Sequence, residues 1–237
     1  MEKMNELHLF AGAGGGILGG QLLGHRTICA VEFEPYAQAC LIARQNDGTF
    51  PPFPIWDDVR TFDGKPWKGI ADVVAGGFPC QDISTAGKGA GITGKKSSMW
   101  NQFARIIGEI RPKFAWIENS PALIVRGLDQ VICDLTALGY DHKWGVFSSA
   151  DIGAEHVRER IFILAYPHGS QCKGGGISSR IYQENANFSH ARRGKDKPGV
   201  DRALNGVAFG SHRLKAIGNG QDPEVVALAW KTLHAAM

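Results

Sequence analysis

Residues Ile70-Ala71-Asp72-Val73-Val74-Ala75-Gly76-Gly77-Phe78-Pro79-Cys80-Gln81 decide the fold class of this chain. The apolar run at 70–75 predicts a buried strand, and the residues after it a tight turn with a thiol at its tip. An α/β enzyme sets a nucleophile at such a place, at the carboxyl end of a strand. The two glycines let the backbone turn sharply or approach a ligand closely. A small buried hydrophobe is the alternative reading of Cys80, since most unpaired cysteines are that.

Outward from this strand, short apolar runs alternate with helical periodicity from residue 7 to about 167. Strands are expected at 7–10, 27–31, 70–75, 114–117, 144–147 and 160–165, with a short strand or loop at 55–56. Helices are expected after the glycines at 12–20 and at 36–46, 99–111, 128–138 and 222–236. The last two strands have no long helix between them, which predicts antiparallel pairing. The alternation predicts an α/β, doubly wound, Rossmann-like sheet.

Composition bounds the function. The chain has 237 residues, 43% hydrophobic and 21% charged, which suits one sizeable core and neither disorder nor a coiled coil. No apolar run is long enough to span a bilayer, and the first residues lack a signal-peptide pattern, so a cytoplasmic monomer is expected. Five cysteines without Cys-x-x-Cys spacing argue against a disulfide framework and against a bound metal. Net charge is +3, yet residues 168–215 hold nine Lys or Arg against three acids, a local +6. That basic segment, rich in Gly, Ser and Asn, reads as a loop-rich insert able to meet a polyanion or as a solvated basic loop.

Four further groups carry chemistry. Phe10-Ala11-Gly12-Ala13-Gly14-Gly15-Gly16 ends the first strand and opens a helix, a place for a nucleotide, a phosphate or a methyl donor. Glu32 ends the next strand, about twenty residues on, where an acid commonly binds ribose hydroxyls or else stands as a surface carboxylate. Glu118 ends the 114–117 run and would face the same crevice as Cys80, able to exchange a proton with a ring nitrogen or merely to cap a helix. Arg158 and Arg160, two apart in an extended segment, offer two guanidinium forks to one side, or a rim ion pair. No Lys-Ser or Lys-Thr follows the glycines, which excludes a P-loop nucleotidase.

These pieces, in this order, resemble the DNA cytosine-5 methyltransferase family, and the compact chain is similar to its small bacteriophage-type members. The resemblance rests on Phe10-Ala11-Gly12-Ala13-Gly14-Gly15, Gly77-Phe78-Pro79-Cys80-Gln81, Glu118-Asn119, Arg158-Glu159-Arg160 and Gly218-Asn219. It implies a catalytic domain at 1–167 and 211–237, with 168–210 as a short target-recognition insert. It implies S-adenosylmethionine as methyl donor and double-stranded DNA as partner. Cys80 would attack C6 of a flipped cytosine, Glu118 would engage N3 and the exocyclic amine, and Arg158 and Arg160 would hold the base carbonyl and nearby backbone.

By the same resemblance Phe10, Ala11, Gly12, Ala13, Gly15 and Pro79 would line the cofactor. Glu32 would bind its ribose, Phe33 would stack on its adenine, Asp58 with Val59 would meet the adenine amine, and Asn219 would complete the pocket. Gln81, Ser84, Lys88 and Lys95 lie on an expected mobile loop at 81–97 that closes over DNA, and Arg192 and Arg193 in the insert would also meet DNA. The sequence departs from the family pattern at His8, where Asp is common, at Ser120 for Val and at His156 for Gln. It also reads Gly218-Asn219-Gly220-Gln221 for Gly-Asn-Ser-Val. The same chemistry on RNA, and a weakly active binding relative, are the rival readings.

Overall fold

The structure is a computed structural model that describes residues 2–79, 98–169, 218 and 220–237. Seven strands form one sheet: β1 (Asn5–Leu9), β2 (Arg26–Val31), β3 (Ile55–Trp56), β4 (Val73–Gly77), β5 (Phe114–Asn119), β6 (Tyr140–Ser148) and β7 (Glu159–Pro167), ordered β3-β2-β1-β4-β5-β7-β6. The first five are mutually parallel, and β7 runs antiparallel to both β5 and β6. The expected doubly wound α/β class and the antiparallel final pair are both present.

Six α-helices accompany the sheet among the described residues: α1 (Gly15–Leu22), α2 (Pro35–Asn46), α3 (Ser98–Ile110), α4 (Leu123–Arg126), α5 (Leu128–Ala137) and α6 (Pro223–Ala235). The two-residue period of the strands sorts their side chains into layers. Leu7, Leu9, Val74, Ala115, Ile117, Ile161 and Ile163 pack with α3 and α5. Val73, Ala75, Trp116, Phe162 and Leu164 face the other way, onto Trp230, Val226 and Leu233 of α6. Ile17 of α1 and Leu41 of α2 close a third cluster with Phe50 and Phe53. No described helix is long and apolar enough to cross a membrane.

The strand expected at 70–75 is displaced to Val73–Gly77. The N–H groups of Ile70 and Ala71 both donate to the Trp67 carbonyl at 3.0 Å, so a turn holds that part of the apolar run, and the Ile70 side chain is exposed. The strand runs on through both glycines instead. A Cβ on Gly76 would stand 2.1 Å from the Leu9 carbonyl oxygen, so absence of a side chain lets β1 and β4 approach. β5 likewise extends past 117, which makes Glu118 and Asn119 ladder residues, Glu118 opposite Gly77. The strand expected at 144–147 runs over Tyr140–Ser148.

A buried polar cluster is built on β1 and the residue that precedes β2, from Glu6, His8 and His25. Glu6 Oε2 is 2.9 Å from His8 Nε2, and Glu6 Oε1 is 2.6 Å from His25 Nδ1, with all three residues buried. Burial pushes the Glu6 carboxyl up, but the His25 and His8 hydrogen bonds and charges outweigh it and hold the group at about 2, below its ordinary 4.5. His8, the departure from the usual Asp, thus has a structural task.

A carboxyl with a depressed folded pKa favours folding when ionised. The contribution of Glu6 is therefore complete above pH 4.5 and disappears as pH falls toward 2. Glu6→Gln is expected to cost about 3 kcal/mol at pH 7. Urea unfolding of wild type and variant should show that gap narrowing between pH 4.5 and 2. An unchanged gap across that window would exclude the cluster as its source.

Candidate active site

Chain order in the sheet reverses between β1 and β4, and a crevice opens at such a point beyond the carboxyl ends of the strands. Because β1, β2, β4 and β5 are parallel, Phe10, Glu32, Phe78 and Glu118 all reach this edge. Because β7 is antiparallel, its amino end arrives there and brings Arg160. A cavity of about 710 Å³ occupies the crevice. It is lined by the sequence-named Phe10, Gly12, Ala13, Glu32, Phe33, Asp58, Val59, Pro79, Glu118 and Arg160.

Two of the residues named for the cofactor stand off that lining. Ala11 donates its N–H to the Val31 carbonyl at 3.1 Å, and a Cβ on Gly15 would meet the Gln221 carbonyl oxygen at 2.1 Å. Cys80, Gln81, Ser84, Lys88, Lys95, Arg192, Arg193 and Asn219 lie outside the described residues, as does the expected insert from residue 170 onward.

At the cofactor end, Glu32 is held by backbone. Its Oε2 accepts from Gly12 N–H at 2.6 Å and its Oε1 from Glu34 N–H at 2.8 Å, and each oxygen keeps a lone pair for a ligand hydroxyl. Phe33 beside it is 68% exposed, an aromatic face open to the cavity. Arg60 lies over that ring at 5.7 Å and grips Asp58 with bonds of 2.6–3.0 Å. The Arg60 guanidinium and backbone N–H hold the Asp58 carboxyl below its usual range. A carboxylate for vicinal hydroxyls, a largely exposed aromatic ring for a purine and a backbone-lined turn between them fit an adenosyl group.

At the other end stands Glu118, whose residue is 8% exposed. Arg160 Nε donates to its Oε1 at 2.9 Å, and Gln221 Nε2 donates to its Oε2 at 3.2 Å. A Cβ on Gly77 would stand 2.3 Å from Oε2, so the glycine opposite in the ladder makes the room for this carboxylate. Burial raises the Glu118 carboxyl above its ordinary value, opposed by Arg160, the Gln221 hydrogen bond and Arg158.

The described chain just before Cys80 is held at Phe78. Asn119 donates through Nδ2 to the Phe78 carbonyl at 3.1 Å, and Phe78 packs on Trp100 of α3 with centroids 5.3 Å apart. Trp100 is itself tied to Asp134 of α5 through Nε1 at 2.7 Å. Arg158 has other partners than Arg160: its Nη2 donates to the carbonyls of Gly218 and Gly220 at 2.8 and 2.5 Å, bracing the segment before α6. Sequence reasoning missed Gln221, Gly220 and Arg60. The unusual Gln after Gly218-Asn219-Gly220 was a visible departure, but its target in space was not.

Comparison with known proteins agrees with this geometry. The family model described as C-5 cytosine-specific DNA methylase matches residues 4–209. The type II methyltransferase M.NgoFVII of Neisseria gonorrhoeae is 31% identical over 167 residues, covering 68% of this chain and 43% of its own. The type II methyltransferase M.Eco47II of Escherichia coli is 34% identical over 168 residues, covering 67% and 38%. The chain therefore spans less than half the length of either relative. Among solved structures, a putative DNA modification methyltransferase encoded within an E. coli prophage superposes with TM-score 0.58 at 23% identity, over 73% of this chain and 49% of that one. The S. pombe Dnmt2 methyltransferase gives 0.58 at 19% identity, over 84% and 58%. Those two likenesses bear on the fold. With the family model spanning most of its length over this same site, the chain belongs to the C-5 cytosine-specific DNA methylase family.

Proposed function

We propose that this protein transfers a methyl group from S-adenosylmethionine to C5 of cytosine in DNA. The observation that carries the reading is the buried Glu118 carboxyl, raised by desolvation and clasped by Arg160 and Gln221, on the strand beside the one that leads to Cys80.

Phe10, Gly12, Ala13, Glu32, Phe33, Asp58 and Val59 would hold the cofactor, on the fit described above. When bound, that cofactor supplies an electrophilic methyl carbon on a sulfonium. The residues of this chain prepare the base. C6 of cytosine is shielded in a stacked duplex, so the base must leave the helix to reach Cys80. The Cys80 thiolate forms a bond to C6, and the C5–C6 π electrons shift to C5 while Glu118 places a proton at N3. Arg160 keeps the carboxyl of Glu118 aimed at the base and offers its remaining N–H groups to a carbonyl. After C5 is substituted, its proton passes to water, the C5–C6 double bond re-forms as the C6–S bond breaks to expel the thiolate, and N3 returns its proton to Glu118. The covalent step divides one difficult substitution into easier ones.

The basic character of 168–215 supports a polyanionic partner. Duplex DNA should compete for binding better than structured RNA of equal length. Bisulfite sequencing of DNA from a methylation-free host expressing the protein tests the reaction and reads its sequence context. A genome without protected cytosines would sink the proposal.

Two substitutions separate the roles. Cys80→Ser should abolish transfer while the cofactor dissociation constant stays within about twofold, as measured by calorimetry. Glu118→Gln should lower the single-turnover rate by about 100-fold or more, because it removes the proton that N3 receives. Undiminished transfer by either variant would refute the assigned role.

A further inference from the structure

The geometry points to Gln221 as a positioning residue that fixes which oxygen of Glu118 carries the proton. Three contacts place it. Its Nε2 donates to Glu118 Oε2 at 3.2 Å. Its Oε1 sits where a Cβ on Gly16 would be, 2.2 Å from that point. Its main-chain oxygen sits likewise 2.1 Å from a Cβ on Gly15. The head and the backbone of Gln221 are thus both seated against side-chain-free turns of α1. A residue so held keeps its carboxamide within reach of Glu118 Oε2, free to turn only about its last bond.

The two oxygens of Glu118 then differ in kind. Oε1 faces Arg160 Nε, and a guanidinium has donors and no acceptor, so a proton on Oε1 would face another proton. Oε2 faces a carboxamide, which donates to a carboxylate and, after rotation of its terminal group, accepts from a carboxylic acid. Oε2 is therefore the oxygen that can change protonation state without losing its partner. Valine, the usual residue at this place in the family pattern, has no polar atom and could do neither.

Among the described residues, the charged groups acting on Glu118 are Arg160 and Arg158, both from the segment entering β7. β4 offers it Gly77, and the segment before α6 offers it the neutral Gln221. The Gln221 bond favours the carboxylate, so its loss must raise the Glu118 carboxyl further.

This role rests on the reading of Glu118 as proton donor, and its test reads the carboxyl directly. In protein carrying glutamate labelled with carbon-13 at the carboxyl, the Glu118 signal is identified by its loss in Glu118→Gln and followed against pH by NMR. Gln221→Met keeps the bulk and removes the hydrogen bond, and should raise the titration midpoint by about one pH unit. Gln221→Glu keeps the shape and adds a like charge; it should raise the midpoint at least as far, and serves if the Met variant fails to fold. The pH profile of methyl transfer should move with the midpoint while cofactor affinity holds. A midpoint unmoved in the folded variant overturns the role, whatever happens to activity. A shifted midpoint in a protein that methylates no cytosine would uphold the role and sink the reaction proposed above.

Discussion

A carboxylate inside the sheet edge is the constraint around which this structure is arranged. Glu118 belongs to the ladder, opposite Gly77, and cannot turn out to solvent without breaking β5. A buried charge that is left unmatched costs several kcal/mol, so its surroundings are not free to vary. Gly77 must lack a side chain, Arg160 must enter on a strand of opposite direction, and Gln221 must come back from the far end of the chain. Segments more than a hundred residues apart in sequence are thus held to one carboxyl group.

The same arrangement ties the two halves of the crevice together. Gly77 makes room for Glu118, and three residues later the chain reaches Cys80. Asn119, next to Glu118, holds the Phe78 carbonyl, so one strand end sets both the carboxyl and the approach to the thiol. On the other side of the switch point, Glu32 is locked by Gly12 and Glu34. The glycines at the start of α1 and in the turn before it serve two ends at once: Gly12 faces the cavity, while Gly15 and Gly16 receive Gln221.

Two buried carboxyls, one toward each end of the parallel strands, meet different environments. Glu6 has two imidazoles against its oxygens and is held at about 2, a fixed anion on β1. Glu118 has a guanidinium and an amide, opens onto the cavity, and is raised by burial. Opposite displacements of like groups are the pattern that separates a structural charge from a proton carrier.

By itself, the sequence determined the α/β class, the described helices other than α4, the antiparallel last pair and the approximate places of Glu32, Glu118 and Arg160, because each follows from local periodicity or a short motif. Strand limits at 70–77 escaped it: apolar character cannot tell that the Trp67 carbonyl captures the N–H groups of Ile70 and Ala71. Nor could it show that Gly15 packs against Gln221, Arg158 bonds the carbonyls of Gly218 and Gly220, or His8 meets Glu6 and, through it, His25. Those pairings join residues that are near neither in sequence nor in pattern. Only the tertiary structure decided them, because hydrogen bonds and close contacts depend on distances that strand order and register alone create.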